Sequence, residues 1–198
     1  MFAILSNLAL LAAAGVAWHR NHLLAFFVFF TECFVSMAYH ICKYYDQCIF
    51  RFDILKYFDF FFAECIIPLL TFSLLDYPVE YEWLHWLMLL TAGLFIALLQ
   101  HWFEGTLLIQ AIIVVTCTAI LVIYWIIWGI PRYKWYYLTP GITLLCLSVT
   151  FFVFQSVYTP YYDVIHGMWH ITAALGACFI LMSREKAHPL QNAAFKIK

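Results

Sequence analysis

The residues of this chain most capable of chemistry are three histidines set in apolar stretches. His166 and His170 are four positions apart, so on a helix their imidazoles lie one above the other. His40 follows Ser36 by four positions in another apolar stretch. Zinc commonly takes imidazole nitrogens as ligands, and a helical i, i+4 pair supplies two of them without strain. The spacing therefore predicts a metal site formed by His40, His166 and His170.

Zinc held by three protein ligands usually keeps its fourth position for water. A nearby carboxylate can orient a ligand or accept a proton from that water, and Asp53 is the candidate for this role. Ser36 shares a helix face with His40 and can donate a hydrogen bond. If the chain is an enzyme, Ser36 and Asp53 are the predicted catalytic residues and Zn²⁺ is the predicted cofactor.

Other interpretations of the ionisable residues stay open at this point. The three histidines can hold a purely structural metal, or they can simply hydrogen-bond across helices. A haem bound by two histidines is a further alternative, because His85 and His101 lie at the ends of one apolar stretch. Glu32, Asp59 and Glu64 are predicted to face the interior of a membrane bundle. There they could serve as the proton relay of a transporter.

The composition indicates that the elements carrying these residues lie in lipid. Of the 198 residues, 66% are hydrophobic and only 11% are charged, whereas soluble domains are about half apolar and about a quarter charged. A soluble chain of this kind would expose larger apolar patches than soluble monomers tolerate. A membrane span needs about 20 apolar residues. We predict an all-α bundle of seven transmembrane helices, at roughly residues 1–18, 22–42, 53–75, 83–101, 106–129, 137–157 and 162–182.

The predicted organisation is one seven-helix domain over residues 1–183, followed by a short cytoplasmic tail over residues 184–198. The first span has no preceding positive charge and no cleavage site, which is typical of a retained helix rather than a signal peptide. All connections are short, so consecutive helices are expected to be antiparallel neighbours. The net charge of −1 and the lack of a long basic run argue against nucleic acid as a partner.

Topology alone places the candidate site residues at one depth. The second span ends near His40, and the third begins near Asp53 on the same side of the membrane. Four further crossings return the chain to that side, where His166 and His170 fall in the first two turns of the seventh span. Nothing in the composition forces this agreement, so it supports a single site.

Lysine and arginine collect on the cytoplasmic side of membrane proteins. With the N-terminus outside and the C-terminus in the cytoplasm, more of these cations lie inside than outside, and the histidines lie near the outer face. The predicted inner set is Arg20, Arg132, Lys134, Arg184, Lys186, Lys196 and Lys198, and the outer set is Lys43, Arg51 and Lys56.

The arrangement of Ser36 and His40, then Asp53, then His166 and His170 resembles the CREST superfamily of seven-helix membrane proteins. This superfamily includes the alkaline ceramidases and the PAQR receptors. The resemblance covers most of the chain, from the second span to the seventh. It implies a zinc ion held by the three histidines, and several members of the superfamily are lipid hydrolases.

Two segments carry a narrower similarity, namely His40-Ile-Cys42 with Cys48-Ile-Phe-Arg51-Phe-Asp53-Ile-Leu-Lys56-Tyr57-Phe58, and Asp163-Val-Ile-His166-Gly-Met-Trp-His170. Both segments resemble the Myomaker family. This resemblance implies a plasma-membrane protein that promotes fusion of myoblasts, with membrane lipids, a second copy of the chain and a fusion partner protein as partners. The chain departs from that family in its tail, which has no cysteine, and in Ser36, which is nearer to the hydrolase pattern.

Two functions of different classes follow. The favoured one is a plasma-membrane protein that promotes cell–cell fusion and has a zinc site near the outer face. The alternative is a zinc-dependent hydrolase of lipid amides or esters, of the alkaline ceramidase type. Cys42 and Cys48 flank the short connection between the second and third spans, and the sequence allows either a disulfide or two free thiols there.

Overall fold

The computed structural model describes residues 1–75, 82–103 and 107–184, without the side chains of Glu82, Leu84, His85, Leu107, Ser156 and Thr159. The predicted tail beyond Arg184 lies outside these residues, as does the acidic connection from Asp76 to Glu80. Within the described part the chain is helical, which confirms the predicted fold class. The helices are α1 Phe2–Ser6, α2 Ala9–His19, α3 Leu23–Tyr45, α4 Phe52–Ser73, α5 Glu82–Phe103, α6 Leu107–Trp128, α7 Trp135–Val157 and α8 Tyr162–Ser183.

Six segments are long and apolar enough to cross a membrane: Phe2–His19, Leu23–Tyr45, Trp86–Phe103, Leu108–Trp128, Trp135–Gln155 and Tyr162–Ser183. Helix α4 has 22 residues and is long enough as well. It is not among the six because Asp53, Lys56, Asp59 and Glu64 make it less apolar. The chain is therefore a multi-pass membrane protein, and its most polar long helix is the one predicted as the third span.

The first predicted span is interrupted at its second turn, where the sequence had predicted one continuous helix. The backbone N–H of Leu8 donates to the Leu5 carbonyl, and that of Leu11 donates to the Leu8 carbonyl, both at 3.1 Å. These i to i+3 bonds tighten the chain between α1 and α2. The side chains of Ser6 and Asn7 both donate to the Ala3 carbonyl, which is the local competition typical of these residue types.

The main core lies between α2, α3, α4, α7 and α8. Helices α7 and α8 have the most extensive contact, and α1 packs on α8. The α5–α6 pair packs against α4. In this arrangement α3 ends and α8 begins at the same end of the bundle, here called the histidine end.

At the opposite end, Arg184 ties three helices together. Its guanidinium group donates to the carbonyl oxygens of Ser73 at 3.2 Å and Leu75 at 2.6 Å, at the C-terminal end of α4. The Arg20 side chain, just after α2, donates to the Arg184 carbonyl. The last carbonyls of a helix have no partner within the helix, and a guanidinium group there also suits the helix dipole.

Helices α7 and α8 approach closely because two glycines face each other. A Cβ atom on Gly176 would lie 2.9 Å from Leu145 side-chain atoms and 3.2 Å from the Gly141 carbonyl oxygen. A Cβ atom on Gly141 would lie 3.0 Å from Ile180 Cδ1 and 3.1 Å from the Ile180 backbone nitrogen. Small residues allow such close contact between membrane helices. The contact fixes α8, which carries two of the histidines, against α7.

We expect the substitution Gly141→Leu to lower the free energy of unfolding by about 1–3 kcal/mol, because the added atoms overpack the α7–α8 contact. Gly93→Leu on α5 is the matched control, since a Cβ atom there would meet nothing within 4 Å. Reversible denaturation of the purified protein in mild detergent measures both. Equal losses for the two variants would contradict the tight contact.

Candidate metal centre

The structure brings the three predicted ligands together. His40 lies in the fifth turn of α3 and is fully buried, and His166 and His170 lie near the start of α8, each 5% exposed. One ring nitrogen from each imidazole lies within 4.8 Å of the other two. The Nε2 atoms of His40 and His166 are 3.0 Å apart. The two rings of the α8 pair lie edge to face, with ring centroids 4.5 Å apart.

The outward-facing nitrogen of two histidines has a partner of the kind that orients a metal ligand. The Nδ1 atom of His166 is hydrogen-bonded to Oε1 of Gln155, near the end of α7. Because that amide oxygen only accepts, Nδ1 carries the proton and Nε2 presents its lone pair toward His40. The Nδ1 atom of His170 lies 3.2 Å from the hydroxyl oxygen of Ser6, the last residue of α1. Metal-binding histidines almost always have such a partner on the second nitrogen.

These observations fit zinc. In a tetrahedral site with Zn–N bonds of about 2.0–2.1 Å, two ligand nitrogens lie roughly 3.3 Å apart. The 3.0 Å separation of the His40 and His166 Nε2 atoms is close to this value. The donor set is three neutral-type imidazoles, which suits zinc and several other divalent transition metals. His40, His166 and His170 are therefore the residues that would hold the ion.

Ser36 lies one turn from His40 on the same face of α3, as predicted, and is fully buried. Its hydroxyl group lies close enough to interact with the carboxyl group of Asp59 on α4. It nevertheless makes no hydrogen bond of ordinary geometry within the described part of the chain. A buried hydroxyl group without a good partner is available to a ligand or to water beside the histidines.

Asp53 is placed differently from its predicted partners. Its side chain is 64% exposed and forms an ion pair with Arg51, with Oδ2 2.7 Å from the arginine Nη2 atom. Asp59, two turns further along α4, is 6% exposed and is the carboxyl group beside Ser36. Asp59, rather than Asp53, is therefore the carboxyl group close to Ser36 and the three histidines. Asp53 lies at the surface, paired with Arg51.

Two further features close the histidine end. Cys42 and Cys48 form a disulfide, which settles the question that the sequence left open. The Asp163 carboxylate accepts hydrogen bonds from the Phe2 and Ala3 backbone N–H groups and from the Tyr44 hydroxyl group, at 3.0–3.1 Å. Asp163 therefore joins the start of α8 to α1 and to the end of α3, the elements that carry the site.

Among the described residues proposed for the alternatives, Asp59 lies beside Ser36, whereas His101 and Glu64 lie elsewhere. His101 is exposed near the end of α5, where its ring contacts Trp102. The side chain of His85 lies outside the described residues. Glu32, Asp59 and Glu64 are all buried, as the sequence predicted for charged residues in a bundle. Glu64 accepts a hydrogen bond from Gln100 at 2.9 Å, on the side of α4 that faces α5.

Sequence reasoning missed Ser6 and Gln155. Neither has a charge or a motif that marks it. The available signal was their polarity inside apolar spans, because a buried amide or hydroxyl group in lipid needs a specific partner.

Comparison with known proteins places the chain in a family. Residues 1–171 match the profile of the family described as "Protein of unknown function (DUF3522)". The chain belongs to this family. It is also similar to the protein named "Post-GPI attachment to proteins factor 6" of Mus musculus, with 28% identity over 200 residues that cover 92% of this chain. The same match covers 25% of the mouse protein, so the chain spans about a quarter of that relative's length.

If Gln155 orients His166 for metal binding, Gln155→Leu should weaken zinc affinity roughly 10–100-fold, as loss of such partners typically does. Gln100→Leu is the matched control, because it removes another buried glutamine whose described hydrogen bond is to Glu64. Competition with a calibrated zinc chelator measures both affinities. Zinc binding that is unchanged in Gln155→Leu, or equally weakened in both variants, would contradict the role of Gln155.

Proposed function

We propose that this chain is a zinc-dependent membrane protein that acts on lipid, with hydrolysis of an ester or amide bond as its chemistry. The observation that carries the proposal is the convergence of three buried imidazoles beside the buried Ser36 hydroxyl group. When bound, zinc supplies Lewis acidity to a carbonyl oxygen and lowers the pKa of a water molecule. Such chemistry requires three ligands and an open position, which three histidines leave in a four-coordinate site.

The chain's own residues have distinct roles in this proposal. His40, His166 and His170 hold the ion, and Gln155 and Ser6 fix the orientation of two of the rings. Ser36 donates a hydrogen bond to the oxygen on which charge develops during attack on the carbonyl group. Asp59 is the better-placed proton acceptor because it is buried beside Ser36. Asp53, the acceptor predicted from sequence, remains the alternative and would have to leave Arg51.

The comparison supports a lipid-linked substrate. The name of the mouse relative refers to a step after the attachment of a GPI lipid to proteins. From this name we propose a substrate class for the present chain, namely membrane lipids and proteins that carry a lipid anchor. Ceramide remains a member of this class through the resemblance to the alkaline ceramidases.

The proposed location is the plasma membrane, with the N-terminus outside, the C-terminus in the cytoplasm and the histidine end facing outward. Two independent features support this orientation. The distribution of lysine and arginine favours it. The Cys42–Cys48 disulfide lies at the histidine end, and disulfides persist in oxidising compartments rather than in the cytosol.

The direct test is lipid turnover by the purified, zinc-loaded protein, with ceramide, phospholipid and a GPI-anchored protein as separate substrates. We expect hydrolysis of at least one, and a loss of about 10²–10³-fold in Ser36→Ala, as expected for removal of a hydrogen bond to the oxyanion. His166→Ala should abolish turnover. His101→Ala, at an exposed position on α5, should leave it unchanged. A folded, zinc-loaded protein that turns over none of the three would contradict the hydrolase proposal.

Cell–cell fusion is the second candidate, and a specific surface favours it. The disulfide closes a short connection between α3 and α4 in which Ile49 is 77% exposed and Phe50 is 64% exposed. This connection belongs to the segment that resembles the Myomaker family, and it lies at the histidine end. Two large apolar side chains held outside the helices suit contact with a lipid surface or with a partner, whether a second copy of the chain or a fusion partner protein.

Fusion is tested by expressing the chain in two differently labelled populations of non-fusing cells and counting cells that contain both labels. The fusion proposal expects mixing with the wild-type chain and a marked loss in an Ile49→Ser/Phe50→Ser variant at equal surface expression. Leu90→Ser/Leu94→Ser on α5, where both side chains are also exposed, is the control. Absence of mixing when both populations express the chain would count against this candidate and leave the hydrolase proposal standing.

A further inference from the structure

A second group of buried polar atoms lies apart from the histidines, between α4 and α5. Glu64 is fully buried and Gln100 is 5% exposed. The Gln100 amide nitrogen donates to Oε2 of Glu64 at 2.9 Å. The two remaining side-chain oxygens, Glu64 Oε1 and Gln100 Oε1, are buried and have no hydrogen-bond partner within the described part of the chain. Buried polar atoms in a native structure are rarely left without a partner, so this pair calls for a ligand.

The proline in α4 leaves a third hydrogen-bond acceptor, the backbone carbonyl oxygen of Glu64. Pro68 stands inside α4, four positions after Glu64. Proline has no backbone N–H, so the Glu64 carbonyl oxygen lacks the donor that an ordinary helix would supply. Three acceptor oxygens therefore belong to this pair of residues: a carboxylate oxygen, an amide oxygen and a backbone carbonyl oxygen. When Glu64 is ionised, none of the three can donate to another.

A second buried carboxyl group lies near this region. Glu32 on α3 is 3% exposed, and Glu32 and Glu64 both interact electrostatically with Cys65. The Oε2 atom of Glu32 has no hydrogen-bond partner in the described ranges either. Among the described residues, neither Glu32 nor Glu64 forms an ion pair. A buried carboxyl group is stable in its ionised form only when a cation pairs with it, so a positively charged ligand is the partner that would hold these groups as carboxylates.

An apolar cavity begins one turn from this pair. Its volume is about 340 Å³, and residues of α4, α5 and α6 line it. Pro68, one turn from Glu64, and Ile96, one turn from Gln100, are among the lining residues, together with Phe72, Ala92 and Ile113. Its lining is mostly apolar and gives water few hydrogen-bond partners. Since the helices around it face lipid, hydrocarbon is the material available to fill it.

From this juxtaposition we infer that the Glu64–Gln100 pair and the α4–α5–α6 cavity together bind a single-chain amphiphile with a primary ammonium group. The ammonium group offers three donors and no acceptor, which matches three acceptor oxygens. Its charge matches the buried carboxyl groups. The hydrocarbon chain occupies the cavity. A hydroxyl group offers one donor and no charge, and a carboxylate offers no donor and carries a negative charge, so both are poorer ligands here.

This site is independent of the metal centre. The cavity is lined by α4, α5 and α6, whereas the histidines lie on α3 and α8 with partners on α7 and before α2. Loss of metal binding should therefore leave amphiphile binding intact. This makes failure of the inference distinguishable from failure of the proposed hydrolase function.

The test is a titration of the purified full chain, in nanodiscs, with dodecylamine. Binding is measured as a saturable rise of the thermal unfolding midpoint. Dodecyltrimethylammonium keeps the charge but has no N–H donor, and dodecanol keeps a donor but has no charge. We expect dodecylamine to bind at least about tenfold more tightly than either, because hydrogen bonds to charged groups are stronger than neutral ones. His166→Ala should bind dodecylamine like the wild type.

Two variants separate the two parts of the site. Glu64→Gln keeps the shape and removes the charge, and it should weaken dodecylamine binding by about tenfold or more. Ala92→Leu places extra atoms in the cavity and should weaken dodecylamine binding while Glu64 stays intact. If Glu64→Gln fails to fold, dodecylamine binding by Ala92→Leu alone tests the inferred site. Equal responses to the three amphiphiles, unchanged binding in Ala92→Leu, or the same stabilisation by sodium chloride without amphiphile would overturn the inference.

Discussion

Three imidazoles packed within 4.8 Å of one another inside an apolar bundle are the constraint on which the rest of this structure depends. Each ring has two polar nitrogens, and lipid offers partners to neither. The chain meets this demand for the outward nitrogens of two rings: Gln155 of α7 partners His166, and Ser6 at the end of α1 partners His170. The outward nitrogen of His40, on α3, has no partner among the described residues. The inward nitrogens face one another, which is stable when they share a cation.

The helix arrangement follows from this requirement. Gln155 can reach His166 only if α7 and α8 lie close together, and the opposed Gly141 and Gly176 allow that approach. Ser6 reaches His170 because the first span tightens after its opening turn and α1 packs on α8. At the other end, Arg184 fixes the end of α8 to the end of α4 and to Arg20. The same packing leaves α5 and α6 on the outside, against α4, where the apolar cavity forms.

Much of this arrangement was predictable from sequence, for definite physical reasons. The apolar composition and span lengths gave the helical bundle, and the number of crossings gave the common depth of His40, His166 and His170. The pairing of Cys42 with Cys48 was left open, because spacing alone permits it without requiring it. Side-chain roles were harder to predict. Asp53 and Asp59 both lie near the start of α4, and only the rotation of that helix puts Asp59 in the core and leaves Asp53 with Arg51.

The most direct test of the central claim is X-ray absorption spectroscopy at the zinc edge, on the full chain purified without added chelator. We expect about one zinc per chain, with three imidazole nitrogens at about 2.0–2.1 Å and one further light ligand. A spectrum dominated by sulfur ligands, or a well-folded protein that takes up no zinc even when the metal is supplied, would contradict it.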